Sequence, residues 1–393
     1  MKEVKALILG TDDNSYSVAR SYFEAFGEKA ITVGAGILAP YRNTKISTLT
    51  YKKGFSSHDD LFVQMLNEEA TKYPDTKFVI FAPNEIYLNI LRDNLDKLDF
   101  DFEPAYNFGE IYKNLFYKSK FYDYLEEIGV RYPRTQIIDR TNIDSLRLDG
   151  DIFMKPDDFP LLYSLEFDLK QKGYTLSSRA EAIEVLNKIY EAGYTGEMIV
   201  QEFVHGKDGS EYSLNGYRSS KRDTSMVLAR NLMSDHRVLT VGNHIVQVDE
   251  SNEKMYEIAK YIVDSLGYVG LFNFDFKVDS QSGEIFVLEM NQRQGRTFYY
   301  STLAGVNLIE LAIRDKGYGE SRIIKPSKKF RLLKLSDKVI EKHMDKDLLD
   351  EYRDPKRVAN SANPNIMKYD KSLERDIVIN RYIKKEEKEI FAN

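Results

Sequence analysis

The sequence predicts an α/β protein that begins with a parallel sheet and continues into a second part that contains a β-hairpin. The first hundred residues alternate short apolar runs with helical patterns, and this alternation is typical of parallel sheets. Residues 267–293 show two alternating apolar and polar runs around the sequence SQSG, as a hairpin does. The length of 393 residues agrees with two or three domains of roughly 150 residues each.

The N-terminal part is predicted as strand, helix, strand, helix and strand. The strands are KALILG, AITVG and KFVIFAP, and the helices are SVARSYFEAFG and DLFVQMLNEEATKY. Gly27 closes the first helix, because glycine readily adopts the left-handed conformation in which many helices end. These elements account for one parallel α/β domain.

Strands and helices of both kinds are predicted in the rest of the chain. A helix ends at Gly129, and Pro133 follows it as a stop signal. We predict strands at 151–156, 198–206 and 223–248, and helices at 180–193 and 252–266. Beyond Ser321 the sequence is polar and predicted to be helical.

The composition excludes several kinds of chemistry. Cysteine is absent, which rules out disulfides, thiolate zinc sites, iron–sulfur clusters and cysteine nucleophiles. The start MKEVKALILGTDD has an apolar run that is too short for the core of a signal peptide. No stretch approaches the roughly 18 apolar residues that cross a bilayer. These features predict a cytoplasmic protein.

Charge is distributed unevenly along the chain. The net charge is −6, but the residues from Ser321 onward carry more Lys and Arg than Asp and Glu. The acidic body argues against nucleic acid as a partner. The basic end has two interpretations. In the first, this segment lies peripherally near an anionic membrane or nucleotide, where each Lys or Arg contributes ~1 kcal/mol of binding free energy. In the second, it consists of charged helices exposed to water.

Polar side chains alternate with apolar ones in both arms of the predicted hairpin, so they share one face. They are Asn273, Asp275 and Lys277 in the first arm, and Glu289, Asn291 and Arg293 in the second. A three-residue turn centred on Ser282 would place Asp275 opposite Glu289. The same register would place Asn273 opposite Asn291.

The two predicted acids raise a question of charge. Carboxylates about 5 Å apart repel each other by roughly 3 kcal/mol at an effective dielectric constant of 20, so a positive group is expected beside them. Either neighbouring basic side chains neutralise them on a hydrated face, or Asp275, Glu289 and Asn291 hold a divalent cation. Magnesium suits a site of a few carboxylates and substrate phosphates.

The sequence EMNQR (residues 289–293) resembles the Glu-x-Asn-x-Arg signature of the ATP-grasp carboxylate–amine ligases. Upstream segments resemble that family in the same order, namely YKSKFY with Lys118, FMKP with Lys155, and the hinge strand VQEFVHGKDG. The resemblance covers about residues 5–310. The segments LGTDDNSYSVARSYFEAFG, LAPYRNTKI and IYEAGYTGEMIVQEFV are similar to the D-aspartate ligases of peptidoglycan assembly.

The resemblance implies a two-subdomain ATP-grasp fold, α+β in character, between an N-terminal parallel α/β sheet domain and a helical C-terminal tail. The implied parts are residues 1–112 (N-terminal domain), 113–195 (small subdomain with the nucleotide lysines), 196–320 (catalytic subdomain) and 321–393 (basic helical segment).

The resemblance also implies which residues bind the nucleotide. Lys118 and Lys155 would neutralise the α- and β-phosphates of ATP, since lysine is a compact point charge suited to phosphate. Asp208 would bind the ribose hydroxyls. The Gln201 carbonyl and the Val204 amide would pair with the adenine edge. The adenine hinge would comprise Gln201, Glu202, Phe203 and Val204.

Metal and catalytic roles are implied for the hairpin. Asp275, Glu289 and Asn291 would hold two magnesium ions bridged by Glu289. Arg293 would stabilise charge on the transferred phosphoryl group, because phosphoryl transfer depends on positioning and electrostatics. Arg296 would hold a substrate carboxylate or phosphate.

The chain departs from the family pattern at two places. Members often cover the phosphates with a glycine-rich loop, but the segment DDFPLLYSLEFDLKQKGYT has a single glycine, Gly173. Ser164, Lys170 or Lys172 would close over the phosphates instead. Many members carry an arginine two residues before the first metal acid, where this chain has Asn273.

The implied activity is a two-step ATP-dependent ligation. A carboxylate attacks the γ-phosphate to give an acyl phosphate and ADP, and an amine then displaces phosphate to form an amide. The implied substrates are D-aspartate and the lysine of a peptidoglycan precursor such as a UDP-muramyl peptide. The alternatives are a ligase for another amino acid or a dipeptide, and an ATP-binding regulator without turnover.

Overall fold

The computed structural model describes residues 2–110, 115, 117–237 and 242–391. In this part of the chain the strands form sheets of five, four and seven strands. None of the helices in these ranges combines the length and apolar character needed to cross a membrane. The α/β fold class predicted from the sequence is confirmed.

The N-terminal sheet is parallel throughout, with strand order β3-β2-β1-β4-β5. Its strands are β1 (Glu3–Leu9), β2 (Ala30–Gly34), β3 (Ser47–Tyr51), β4 (Thr76–Phe81) and β5 (Phe102–Pro104). The helices are α1 (Asp13–Phe26), α2 (Asp59–Ala70) and α3 (Glu85–Asp93). The predicted elements are confirmed at β1, α1, β2, α2 and β4, whereas β3, α3 and β5 are additional.

Gly27 ends α1 as predicted. Its φ is 70°, in the left-handed region, and its backbone N–H donates to the Phe23 carbonyl. The helix begins at the carboxyl edge of the central strand β1, where the Asp12 side chain caps it by accepting from the Ser15 amide. The carboxyl edge of a parallel sheet is the usual place for a ligand site, and Asp12 and Asp13 lie at this edge.

The four-stranded sheet is antiparallel, with strand order β6-β9-β7-β8. Its strands are β6 (Thr135–Ile138), β7 (Ile152–Pro156), β8 (Tyr174–Leu176) and β9 (Met198–Glu202). Helices α4 (Lys118–Glu127), α5 (Phe159–Ser164) and α6 (Arg179–Glu191) belong to the same region. Along β7, Ile152, Met154 and Pro156 are buried. Because side chains alternate along a strand, Phe153 and Lys155 face the opposite side.

The seven-stranded sheet carries the predicted hairpin at one edge, in the order β14-β13-β10-β11-β12-β15-β16. Its first strands are β10 (Glu211–Arg218), β11 (Thr224–Asp235), β12 (Asn243–Asp249), β13 (Gly270–Val278) and β14 (Ile285–Asn291). Helix α7 (Glu253–Ser265) covers one face, where it packs on the buried rings of Phe272, Phe274 and Phe276. The polar residues of β13 therefore face the other side.

The C-terminal segment contributes two strands as well as helices. After α8 (Tyr300–Leu303) and α9 (Leu308–Tyr318), strands β15 (Arg331–Leu333) and β16 (Ser361–Ala362) extend the large sheet. The helices are α10 (Asp337–His343), α11 (Leu349–Tyr352), α12 (Pro355–Val358) and α13 (Leu373–Ile390). The predicted helical C-terminal end is confirmed, and the strands are an addition to it.

A buried ion pair fastens the last helix to the N-terminal sheet domain. Arg375 Nε lies 3.1 Å from Asp370 Oδ2, and their side chains are 1% and 0% exposed. The Tyr16 and Thr44 hydroxyls donate to the same Asp370 oxygen, each over 2.7 Å. The Lys45 amide donates to the other carboxylate oxygen over 2.6 Å. The end of the chain is thus held against its beginning.

The predicted division of the chain into four parts stays a prediction. The boundary between residues 112 and 113 lies outside the described residues. The proposed proximity of the basic C-terminal segment to an anionic membrane also stays a prediction.

Candidate active site

Strands β13 and β14 bring the two predicted acids face to face. Asp275 lies opposite Glu289, and Asn273 lies opposite Asn291. The Asn291 side-chain amide donates to Asn273 Oδ1 over 3.1 Å. The predicted register is therefore confirmed at the positions that carry the candidate metal ligands.

The turn of the hairpin differs from the predicted three-residue turn. Val278 faces Ile285, and the chain reverses over residues 279–284. Asp279 holds this loop by accepting hydrogen bonds from backbone amides, among them Ser282 N at 2.8 Å. The prediction was wrong because a bulge shifts the register by one residue next to Asp275, and residue alternation alone does not show a bulge.

The bulge connects the hairpin to the small sheet. It leaves Leu288 without an opposite residue, and the Leu288 carbonyl accepts a hydrogen bond from the Tyr122 hydroxyl over 2.7 Å. The same hydroxyl accepts from Lys155 Nζ over 3.0 Å. A single tyrosine therefore positions the strand lysine beside the hairpin acids.

Glu289 is surrounded by positive charge. Lys118 Nζ lies 3.8 Å from Glu289 Oε1. Burial alone raises the pKa of the Glu289 carboxyl, but the charges of Lys118, Lys155, Lys172 and Arg293 outweigh burial and hold this pKa at about 2. Four cations around one ionised carboxylate leave an excess of positive charge, which a polyanionic ligand would balance.

Asp275 has the opposite shift. Burial and then the negative charge of Glu289 raise the pKa of Asp275 to about 7, even though the Ser213 hydroxyl lies 3.2 Å from its carboxylate. The positive charges that lower the pKa of Glu289 have a smaller effect on the pKa of Asp275. A cation bound between the two acids would stabilise the ionised form of Asp275.

The donor set fits magnesium. Across the described ranges, no group of three or more His, Cys, Asp and Glu side chains is arranged to hold a metal ion. A metal at the hairpin would therefore need ligands besides the two carboxylates. Asp275 and Glu289 supply two carboxylates, and Asn291 adds an amide oxygen. Magnesium commonly takes one or two carboxylates, with waters and substrate phosphates completing the octahedron. The site therefore suits a metal that arrives with a phosphate ligand.

A cavity of about 380 Å³ lies along the predicted adenine hinge. Gln201, Glu202, Phe203, Val204 and Asp208 all line it. It shares Lys155, Lys172, Asp275 and Glu289 with a second, larger cavity. The structure thus brings the predicted hinge, the strand lysine and the acids to one continuous space.

The hinge residues differ in what they offer a ligand. The Val204 amide donates no hydrogen bond within the described part of the chain, so it is available for an adenine nitrogen. Glu202 turns its carboxylate to Arg134, whose backbone amide donates to it over 3.0 Å. The buried Gln201 side chain donates to Thr135 Oγ1 over 2.8 Å. The adenine contacts predicted for the hinge use backbone groups rather than these side chains, and they stay predictions.

Asp208 and Phe203 both line this cavity. Asp208 Oδ2 is 3.5 Å from His236 Nε2, and this hydrogen bond raises the pKa of His236. The Phe203 ring centre lies 5.3 Å from Lys277 Nζ. A carboxylate next to the hinge is compatible with the ribose role predicted for Asp208.

The larger cavity has a volume of about 790 Å³ and is lined by Arg293 and Arg296. Arg293 Nη1 donates to the Gln294 carbonyl over 3.3 Å. Arg296 is exposed and makes no hydrogen bond or ion pair with any described residue. Arg296 therefore presents an open guanidinium to this cavity.

Of the three candidates for closing over the phosphates, only Lys172 lines the shared space. Ser164 Oγ donates to the Leu161 carbonyl of its own helix over 2.7 Å. Lys170 Nζ lies 3.8 Å from Glu166 and 5.1 Å from the Tyr163 ring centre. Lys172 instead lines both cavities, and its burial there lowers its pKa.

Several residues of the larger cavity were not predicted from the sequence, among them Asp13, Lys334, Asn365 and Tyr382. Asp13 follows β1 in the motif TDD, and acids after the first strand of a parallel sheet were a usable signal. The other three come from the C-terminal segment, where no pattern distinguished them. Burial raises the pKa of Asp13, but the charges of Lys334 and Arg296, together with hydrogen bonds, lower it overall.

Comparisons with known proteins agree with this geometry. Residues 196–337 match the family model described as "ATP-grasp in the biosynthetic pathway with Ter operon". The chain is 31% identical over 329 residues to the D-aspartate ligase of Enterococcus faecium (strain Aus0004), an alignment that covers 81% of this chain and 78% of that protein.

Solved structures show the same fold at low sequence identity. An ADP complex of purK, N5-carboxyaminoimidazole ribonucleotide synthetase, superposes with a TM-score of 0.62 at 14% identity, covering 90% of this chain and 85% of that one. An L-amino acid ligase from Bacillus licheniformis gives a TM-score of 0.58 at 12% identity, covering 80% of this chain and 74% of that one. With its 31% identity to D-aspartate ligase over most of both proteins, the chain belongs to the ATP-grasp carboxylate–amine ligase family.

Proposed function

We propose that this ligase joins the β-carboxylate of D-aspartate to the side-chain amine of lysine in a peptidoglycan precursor, with ATP as the energy source. The similarity to D-aspartate ligase supports this choice of substrate. The observation that carries the chemistry is the pair of opposed carboxylates, Asp275 and Glu289, in a space lined by cations. Such a site suits a magnesium-bound nucleotide and a carboxylate substrate.

The nucleotide would lie along the hinge with its phosphates at the acids. The Val204 amide would donate to adenine, and Asp208 would accept from the ribose. Lys118 and Lys155 would neutralise the α- and β-phosphates, and the position of Lys172 supports a third contact with the phosphates. Two magnesium ions held by the hairpin acids and Asn291 would offset the negative charge of the phosphates.

The reaction would proceed in two steps. In the first, a carboxylate oxygen of the amino acid attacks the γ-phosphorus, the bond to the β-γ bridging oxygen breaks, and an acyl phosphate and ADP result. Arg293 would stabilise the charge on the transferred phosphoryl group. In the second, the lysine amine attacks the acyl carbon, loses a proton, and displaces inorganic phosphate to leave an amide.

A second candidate is a ligase for another amino acid or a dipeptide. The fold shared with the L-amino acid ligase supports it only at the level of architecture, because identity is 12%. The two candidates use the same nucleotide site and differ in the occupant of the larger cavity.

The proposal predicts which mixture releases ADP. With ATP and magnesium, the purified protein is expected to release ADP fastest when D-aspartate and a lysine-containing UDP-muramyl peptide are both present. Mass spectrometry should then detect the peptide extended by one aspartyl residue. The measurement compares D- and L-isomers of aspartate, alanine, asparagine and glutamate, each with and without the peptide.

The controls separate the two candidates. A UDP-muramyl peptide with an acetylated lysine lacks the nucleophile and should give no product. Equal rates with D- and L-aspartate, or a faster rate with another amino acid, would contradict D-aspartate as the substrate and favour the second candidate.

A further inference from the structure

We propose that the start of α1, the loop after β14 and the C-terminal segment form a subsite that binds the charged ends of an α-amino acid. The subsite comprises Asp13, Arg296, Lys334, Asn365 and Tyr382, which all line the larger cavity. The inference rests on the proposed function in assuming that the activated carboxylate belongs to an amino acid. It adds where the α-ammonium and α-carboxylate groups are held, and by which residues.

Asp13 is the centre of the subsite. Its Oδ2 accepts from Lys334 Nζ over 3.3 Å and from the Tyr382 hydroxyl over 2.9 Å. Its Oδ1 accepts from Asn365 Nδ2 over 2.9 Å. A carboxylate has about four lone-pair positions, so one position on Asp13 is left for a further donor.

Asn365 supplies a second acceptor. The residue is 3% exposed, and its Oδ1 has no hydrogen-bond partner within the described residues. A buried acceptor without a donor costs free energy, and a ligand that brings an N–H group would remove that cost. An ammonium group carries three donors and suits the open positions on Asp13 and Asn365.

Arg296 and Lys334 supply the positive charge for a carboxylate. Arg296 makes no hydrogen bond or ion pair with the described residues, and a guanidinium binds a carboxylate through two parallel hydrogen bonds. Arg296 follows Arg293 by three residues, so their Cα atoms are at most about 11 Å apart, and both residues line the larger cavity. An amino acid with one carboxylate at Arg293 can therefore present its other carboxylate to Arg296.

A purely structural role for the cluster is the competing explanation. The bonds from Asp13 to the C-terminal segment also fasten that segment to α1. That explanation gives no reason for the unpartnered Asn365 oxygen, nor for an open Arg296 beside it. The two explanations predict different effects on substrate affinity and on stability.

The test measures the KM for the amino acid and the KM for ATP separately. Arg296→Met and Lys334→Met are expected to raise the KM for D-aspartate at least tenfold, with the KM for ATP changed less than twofold. Lys334→Arg should recover most of the loss. Lys325→Met, an exposed lysine in the same segment, is the matched control and should leave both constants unchanged.

A binding measurement adds a readout that does not require turnover. In the presence of ADP and magnesium, D-aspartate should raise the melting temperature of the wild-type protein more than succinate does, because succinate lacks the ammonium group. Asn365→Ala should reduce this difference between the two ligands. Circular dichroism checks that each variant is folded.

Each outcome has one meaning. If D-aspartate supports ADP release but its KM is unchanged in Arg296→Met and Lys334→Met, the subsite is refuted and the proposed function stands. If only another α-amino acid binds, and its binding depends on Arg296, the subsite stands and D-aspartate is refuted. If D- and L-aspartate, alanine, asparagine and glutamate all fail to bind, the subsite is refuted.

Discussion

Glu289→Gln is expected to lower the rate of ADP formation by about 10²–10³-fold, the loss typical when one preorganised electrostatic group is removed from an active site. Glutamine keeps the shape of the side chain and removes its charge. The wild-type carboxylate is ionised well below neutral pH, because four cations hold its pKa at about 2. Without it, the proposed metal site has Asp275 as its remaining carboxylate, and burial raises the pKa of that group.

The measurement for this prediction is magnesium-dependent ADP release, together with ADP binding by calorimetry with and without magnesium. Magnesium should tighten ADP binding in the wild-type protein and have little effect in Glu289→Gln. Glu284→Gln is the matched control, because Glu284 lies in the loop of the same hairpin, is partly exposed, and pairs with Arg131. Wild-type activity in Glu289→Gln would exclude this carboxylate as a metal ligand.

Asp370→Ala is expected to destabilise the protein by about 3–5 kcal/mol, the cost of removing one partner of a buried ion pair. The substitution leaves the Arg375 guanidinium uncompensated at 1% exposure. It also removes the acceptor for the hydroxyls of Tyr16 and Thr44 and for the Lys45 amide. The loss combines an unpaired charge with three unsatisfied donors.

Urea denaturation, followed by the fluorescence of the tyrosines, measures this effect as a lower transition midpoint. Asp376→Ala is the matched control, since Asp376 is an exposed acid in the first turn of α13, the helix that carries Arg375. Its loss should cost under ~1 kcal/mol, the usual value of a charge near a helix terminus. A midpoint for Asp370→Ala equal to that of the control would show that the buried pair adds no net stability.

Much of the fold was predictable from local patterns. The strands β1, β2 and β4 are mainly apolar because parallel strands are covered on both faces. The hairpin was recognisable because its two faces differ in polarity. In contrast, β3 has the polar sequence STLTY, β5 spans three residues, and the bulge beside Asp275 changes no residue pattern. These features depend on neighbours that the local sequence does not specify.

The candidate site also contains residues that were predictable from the sequence and residues that were not. The hairpin residues and the two lysines that were predicted line one continuous space. Strand alternation and the family motifs were sufficient to predict them. Lys172 was one of three alternatives, and the path of the chain after β7 selects it. Lys334, Asn365 and Tyr382 were not predictable, since their role depends on long-range packing against Asp13 rather than on local spacing.

The contact between Tyr382 and Asp13 spans 369 residues of sequence, and this distance has a consequence for synthesis. A ribosome adds residues in order, so Asp13 leaves it long before Tyr382 exists. The hinge and the hairpin acids precede residue 292 and can form earlier. A nascent or prematurely terminated chain can therefore contain every nucleotide-binding group named above and still lack Tyr382. The hydrogen bond between Asp13 and Tyr382 thus forms late in biogenesis.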